Sequence, residues 1–158
     1  MRAPSPFFVL GATLLALALF STPADAQFSR SIGAGLAVPT GDLADTHDRG
    51  FTVRAQYGTL GLGLIDVHMQ GGYSRFEADP GASPTPDEFD TGHIGPGVRV
   101  NSGTIFFGGN ALFFFGDGDE EVAFVPEVGI NLLLVEIVAD YRFTGDAEWV
   151  GIRAGVKF

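Results

Sequence analysis

The last ten residues, Trp149 to Phe158, read WVGIRAGVKF and decide the fold class. Val150, Ile152, Ala154, Val156 and Phe158 are apolar, and the residues between them are small, basic or amphipathic. An apolar residue at every second position predicts a β-strand with one apolar face, because successive side chains of a strand point to opposite sides. The strand closes on an aromatic residue, and membrane barrels place such rings at the bilayer boundary. An ordinary edge strand of a soluble protein shows the same alternation, so the rest of the chain must decide.

Composition restricts the classes of protein that remain. The 158 residues leave room for one domain; they include 23 glycines, 15 phenylalanines and no cysteine, with a net charge of −10 and a mean hydropathy of +0.24. A chain without cysteine has neither disulfides nor thiolate metal sites. Positive hydropathy combined with strong negative charge fits apolar residues that face lipid and acids that collect in loops. The acidic balance argues against a nucleic-acid partner, since phosphate binding needs a basic surface.

The first 26 residues have the pattern of a secretory signal peptide. Arg2 precedes an apolar run from Phe7 to Phe20, and Ala24-Asp25-Ala26 has the small-x-small form of a cleavage site. The apolar run is too short for a stable transmembrane helix. We therefore expect cleavage after residue 26 and a mature domain that spans residues 27–158.

The mature region predicts eight strands and no helix. The segments with apolar alternation cover residues 29–38, 51–57, 62–76, 93–100, 104–115, 122–132, 135–143 and 149–158. Short connections alternate with mostly longer polar ones, which is typical of a transmembrane barrel with short periplasmic turns and longer external loops. Pro96 is atypical of a central strand, because proline cannot donate to the ladder. The predicted fold is an all-β, eight-stranded antiparallel up-and-down transmembrane β-barrel.

A soluble lipocalin-like barrel also has eight strands, but it turns its apolar face inward. The apolar face of this chain carries many rings: Phe51, Tyr57, Tyr73, Phe124, Tyr141, Phe143 and Phe158. An eight-stranded barrel encloses only packed side chains or one small ligand, so this number of rings does not fit inside. We therefore predict that the apolar face contacts lipid and that the rings lie near the bilayer surfaces.

The opposite face carries charges of both signs. The predicted lumen network consists of Arg54, Asp66, Arg99, Glu127, Glu136, Asp140, Arg142, Arg153 and Lys157. Five bases against four acids favour mutual pairing, because ions shielded from water are costly when unpaired. We expect a closed, charge-paired lumen, and the alternative is a polar path for solutes.

The chain resembles the small outer-membrane β-barrel proteins of Gram-negative bacteria, of the OmpA-transmembrane-domain, OmpX and OmpW type. The signal, the first strand followed by residues 38–42 (VPTGD), the eight segments and the terminal Phe158 carry the resemblance. It implies an outer-membrane location and insertion by the barrel-assembly machinery, which would read Val150, Ile152, Val156 and Phe158. It also implies contact with outer-membrane lipid and lipopolysaccharide, and we expect a monomer. The family includes structural, adhesive, porin-like and lipid-modifying members, so the resemblance does not define an activity.

We expect a structural or surface-binding role with acidic extracellular loops. The alternative is an OmpW-like carrier or narrow channel for small hydrophobic molecules, with Phe106, Leu112 and Phe114 as its binding residues.

We do not expect an enzyme. Residues 68–70 read HMQ and residues 93–95 read HIG, so both lack the His-x-Ser motif of the lipid A deacylases. The acidic run 117–121 lacks the spacing of an EF-hand and is interpreted as a solvated loop. The sequence thus predicts no metal and no cofactor.

Overall fold

A computed structural model of the chain describes residues 30–62, 64–82, 87–117, 120–145 and 147–158. The strands are β1 (Arg30–Thr40), β2 (His47–Leu62), β3 (Ile65–Ala78), β4 (Phe89–Ser102), β5 (Ile105–Gly116), β6 (Glu121–Leu132), β7 (Val135–Thr144) and β8 (Ala147–Lys157). A short 3-10 helix, Gly41–Asp45, follows β1, and no helix in the described ranges is long and apolar enough to cross a bilayer. The expected signal peptide and the start of the mature domain at residue 27 lie outside the described residues.

The strands form one closed barrel in chain order. Each strand pairs with its sequence neighbours in antiparallel fashion, and β1 closes the circle by pairing with β8 from Ser31↔Lys157 to Thr40↔Glu148. This confirms the predicted eight-stranded up-and-down barrel. Two strands begin four residues earlier than the alternation predicted, β2 at His47 and β4 at Phe89, because their pairing with β3 continues to His47↔Ala78 and Phe76↔Phe89.

The outer surface of the barrel is apolar and the interior is polar. Leu36, Phe107, Phe124 and Ile152 are 52–68% exposed on the outside, whereas the alternate residues of the same strands are buried or half-buried. A soluble barrel has the reverse arrangement, so the lipocalin-like alternative is excluded. An apolar belt around a polar interior is the structure of a barrel of the bacterial outer membrane.

The interior has two zones. Charged and amide side chains fill the middle of the lumen, and an apolar cluster fills the end that faces the longer loops. The apolar cluster consists of Ala37, Leu43, Phe76, Leu112, Phe114, Val125, Ala147 and Trp149. Leu43 belongs to the 3-10 helix, in a segment where the sequence predicted only a polar loop. The helix therefore covers the mouth of the barrel with its one large apolar side chain.

Two prolines lie on membrane-facing positions of the strands, with different consequences. The β3–β4 ladder continues through Pro96, which pairs with Met69, whereas the β4–β5 ladder has no pair at Gly95 or Pro96 and resumes at Gly97↔Asn110. The ladder between β6 and β7 runs only from Leu132↔Val135 to Glu127↔Asp140, so it ends one residue before it would reach Pro126. The sequence singled out Pro96, where the β4–β5 ladder has a two-residue gap, and the longer interruption lies at Pro126.

Candidate functional site

The middle of the lumen is crossed by a belt of four charged side chains. Arg54 of β2 donates to Glu127 Oε2 at 2.9 Å and to Glu136 Oε1 at 3.2 Å. Arg99 of β4 donates through Nη1 to Glu136 Oε2 at 3.1 Å and through Nε to Glu127. Each carboxylate therefore accepts from two arginines that lie on other walls of the barrel. Ser31 adds a hydrogen bond to Glu136 Oε1 at 2.8 Å. This belt joins β2 and β4 to β6 and β7 across the lumen.

A second charged group lies on β7 and β8. Asp140 accepts from Arg142 Nε at 3.0 Å and pairs with Arg153. Arg142 Nη1 also donates to Ser74 Oγ at 3.1 Å and to His93 Nδ1 at 3.2 Å, which assigns the proton of this imidazole to Nε2. All of these side chains are buried. The charges of the lumen are thus held in fixed hydrogen-bonded positions, as unpaired buried ions would be costly.

The histidines have structural partners. His68 Nε2 lies 2.8 Å from Asn110 Oδ1, and Asn110 Nδ2 donates to the carbonyl of Val125 at 3.3 Å. His47 Nε2 lies 3.1 Å from the carbonyl oxygen of Asp87, so it joins the start of β2 to the β3–β4 loop. His47 Nδ1 also lies 2.8 Å from the Thr46 hydroxyl, so these two imidazoles are held by an amide, a backbone carbonyl and a threonine.

Two residues of the predicted lumen network lie apart from it. Asp66 is half-buried near the short-turn rim and accepts from Asn101 Nδ2 at 2.6 Å. Lys157 is half-buried near the same rim and donates to Asn131 Oδ1 at 2.8 Å. Within the described part of the chain neither forms a salt bridge. Alternation placed both on the inner face, but the stagger of the strands puts them at the barrel's end.

The three residues predicted for a hydrophobic ligand lie in two places. Leu112 and Phe114 belong to the apolar cluster, where the Phe114 and Trp149 rings meet edge to face with centroids 5.8 Å apart. Phe76 packs on Trp149 at 5.4 Å. Phe106 lies elsewhere, beneath the Arg99 guanidinium at 4.3 Å, in a cation–π contact. The sequence did not assign Trp149 or Phe76 to a core, although both fall on the inward alternation.

The residues predicted as the insertion signal share the outer face of β8. Ile152, Val156 and Phe158 are 52–54% exposed, and Val150 is half-buried. They form one apolar row along the strand that closes the barrel against β1. The row is available to lipid or to an assembling partner, and its role in insertion stays a prediction.

The rim with the longer loops is acidic. Its carboxylates are Asp42, Asp45, Asp48, Glu77, Asp79, Asp87, Glu88, Asp90, Asp117, Glu120, Glu121 and Glu148, and its arginines are Arg49 and Arg75. Some of these acids organise the loops: Asp117 Oδ2 accepts from the Asp90 N–H at 2.8 Å, and Arg75 pairs with Glu88. No group of three or more acids and histidines within the described ranges is placed to hold a metal ion. Part of the predicted acidic run 117–121, residues 118 and 119, lies outside the described residues.

The closed barrel, its apolar outer belt and its charged interior define the class: a small β-barrel protein of the outer membrane. Neisserial surface protein A (NspA) is similar in structure, with a TM-score of 0.51 and 15% identity over 85% of this chain and 98% of that chain. The outer-membrane protein Ail of Yersinia pestis, solved in a phospholipid bilayer nanodisc, has a TM-score of 0.50 and 15% identity over 84% of this chain and 100% of its own. At this identity the likeness concerns the fold alone. No protein-family model and no curated protein matches the sequence.

Proposed function

We propose that this protein is a structural and surface-binding barrel whose lumen is sealed and whose acidic loop rim is the binding surface. The observation that carries the proposal is the charged belt. Arg54 and Glu127 lie on strands four apart in an eight-stranded circle, and they join opposite walls at 2.9 Å. Because the apolar cluster fills the lumen beyond the belt, solutes have no wide path and interactions fall to the outer surfaces.

The loop rim has carboxylates to spare for a partner. Among the described residues, those without a salt bridge or hydrogen bond of their side chains are Asp42, Asp45, Asp48, Glu77, Asp87 and Glu120. They are exposed, and they stand beyond the lipid-facing rings at the level of lipid headgroups. Hard divalent cations prefer carboxylate and phosphate oxygens. The rim therefore suits lipopolysaccharide held through Mg²⁺ or Ca²⁺.

The sealed lumen is tested by conductance in planar bilayers. The purified protein is expected to give no large channel, and a large steady conductance would contradict the closed belt. The folded state of the protein used in the recording is checked on a gel. A compact barrel is expected to migrate as a single species that runs faster before boiling than after.

The binding surface is tested by lipopolysaccharide binding to the barrel in vesicles, with Mg²⁺ and with a chelator. The triple variant Asp42→Asn, Asp45→Asn, Asp48→Asn is expected to bind more weakly in Mg²⁺ and to lose the effect of the chelator. Asp66→Asn removes one charge at the opposite rim and serves as the control, with unchanged binding expected. Equal binding by the triple variant and the wild type would disprove a role for this part of the rim.

Assembly by the barrel-assembly machinery and a monomeric state remain parts of this proposal. The outward row on β8 supports the first, because it continues to Phe158 without a charged residue on that face from Val150 onward. The closed circle of strands supports the second, because every strand pairs with two neighbours and no complete strand edge is left for another copy.

A further inference from the structure

The halves of β6 and β7 nearest the longer loops lie next to each other without pairing. The β6–β7 ladder ends at Glu127↔Asp140, so residues 121–126 of β6 and residues 141–144 of β7 exchange no pairs. On their other sides both segments are fully paired, β6 to β5 as far as Phe114↔Glu121 and β7 to β8 as far as Thr144↔Ala147. We call this stretch the β6–β7 seam.

The seam begins at Pro126 and is closed at its top by one side chain. Proline has no N–H to donate, so a ladder commonly stops where one is needed. At the loop end, Glu121 Oε1 accepts a hydrogen bond from the Gly145 N–H at 2.5 Å. Between these points about four residues of β6 lie along the opening, on the order of 13 Å at 3.3 Å per residue.

The outer side of the seam faces hydrocarbon. Val122 and Phe124 of β6 are 71% and 68% exposed, and Phe143 of β7 is 54% exposed. Backbone groups that lack partners at this depth cost several kcal/mol each, so barrels normally pair every strand through the apolar belt. An interrupted ladder here is an unfavourable feature that needs a compensating role.

The inner side of the seam is the apolar cluster. Val125 of β6 is a member, and Leu112, Phe114 and Trp149 lie beside it. Trp149 is fully buried, and its indole Nε1 has no hydrogen-bond partner. Arg142, an inward residue of the seam on β7, places its guanidinium 5.6 Å from the Trp149 ring. At the seam, lipid and the apolar interior are therefore separated only by two strands that do not pair. The Trp149 indole N–H and the Arg142 guanidinium lie on the inner side.

We propose that the β6–β7 seam is a lateral entrance through which one acyl chain from the outer leaflet reaches the apolar cluster. The chain would pack among Leu112, Phe114 and Trp149, and its carbonyl or carboxylate oxygen would accept from the Trp149 indole N–H. Lipid is the occupant because it already surrounds the outer side of the seam. This inference does not depend on the loop rim, and the charged belt below the cluster keeps the lumen sealed to water.

Fluorescence of Trp149, the chain's only tryptophan, tests the entrance. The barrel is reconstituted in vesicles that contain phosphatidylcholine with brominated acyl chains, which quench an indole at short range. Pro126→Val restores the missing N–H, and closure of the seam is checked by slowed amide exchange at residues 141–144. The expected result is strong quenching in the wild type and a clear loss of quenching in Pro126→Val. Pro96→Val changes the other outward proline, where the β4–β5 ladder omits only Gly95 and Pro96 and resumes at Gly97↔Asn110, and it is expected to quench like the wild type.

A disulfide provides a second test that does not rely on the proline. The chain has no cysteine, so Phe124→Cys with Phe143→Cys places one reducible link across the seam at the continuation of the β6–β7 register. Val128→Cys with Ala139→Cys links the paired half and is the control. Oxidation is expected to abolish the acyl-chain quenching only in the upper pair, and reduction is expected to restore it. Quenching that is unchanged in the closed Pro126→Val variant or in the oxidised upper pair would overturn the proposal.

Discussion

Arg54 of β2 and Glu127 of β6 meet across the lumen with 2.9 Å between Nη1 and Oε2, and their side chains are almost completely buried. The two strands stand on opposite sides of the circle, so this one contact fixes the lumen's width at its centre. Arg99 and Glu136 complete the same belt. The barrel is therefore held from the inside by charge pairs as well as from the outside by its ladder, and the predictions below separate these contributions.

Removal of a lumen arginine is expected to destabilise the barrel without opening it. Arg142→Ala takes a partner from buried Asp140 and a donor from Ser74 and His93, and the loss of one member of a buried pair costs roughly 3–5 kcal/mol. The measurement is the free energy of unfolding by urea in vesicles. Arg75→Ala breaks exposed pairs with Glu88 and Asp90 and is the control, with about 0–1 kcal/mol expected. Similar losses in both variants would show that the lumen pairs do not stabilise the barrel.

Closure of the barrel is expected to depend on Gly35. A Cβ at this position would overlap the Ile152 carbonyl and the Arg153 Cα on β8, and both are backbone atoms that cannot move aside. Gly35→Ala is therefore expected to cost at least about 1–3 kcal/mol. At Gly71 a Cβ would meet its nearest atom at an ordinary 3.5 Å, so Gly71→Ala is expected to be neutral. Urea unfolding and the fraction of fast-migrating unboiled protein measure the difference.

The β6–β7 turn contains a strained leucine whose replacement is expected to stabilise the protein. Leu133 has φ of 56° and is the one non-glycine residue with positive φ in the described part of the chain. Because this region costs an L-residue about 1–2 kcal/mol and the side chain is 96% exposed, Leu133→Gly is expected to raise the free energy of unfolding by about 1 kcal/mol. Leu134 does not have a positive φ, so Leu134→Gly relieves no backbone strain and is not expected to raise the free energy of unfolding.

The terminal aromatic is expected to act in assembly rather than in stability. Phe158 and Phe143 are both 54% exposed on the lipid side, so each ring contributes comparably to the folded barrel. If Phe158 is part of an insertion signal, Phe158→Ala lowers the amount of barrel that reaches the outer membrane in cells, whereas Phe143→Ala does not. Refolding of both purified variants into vesicles, with similar unfolding free energies, is the accompanying measurement. Equal outer-membrane levels of the two variants would show that Phe158 is not part of an insertion signal.

The sequence determined the barrel and its polarity. Alternation with period two assigns each side chain of β8 to a face without knowledge of any other strand, since consecutive side chains always point to opposite sides. The same rule placed Phe124 and Phe143 outside and Arg142 and Glu127 inside, and the structure agrees. A pattern that is local along one strand is readable from the chain alone.

The tertiary structure decided which inward residues meet. Arg54 and Glu127 are 73 positions apart, and their contact depends on the stagger of the strands, which alternation does not contain. For this reason Asp66 and Lys157, though inward, lie at the rim outside the belt. The 3-10 helix places Leu43 in the mouth of the barrel, because the free energy gained by burying Leu43 in the apolar cluster with Trp149 outweighs the polar character of the surrounding sequence. The long break in the ladder at Pro126 also required the structure, because Pro96 has the same local signal but the β4–β5 ladder resumes one residue after it.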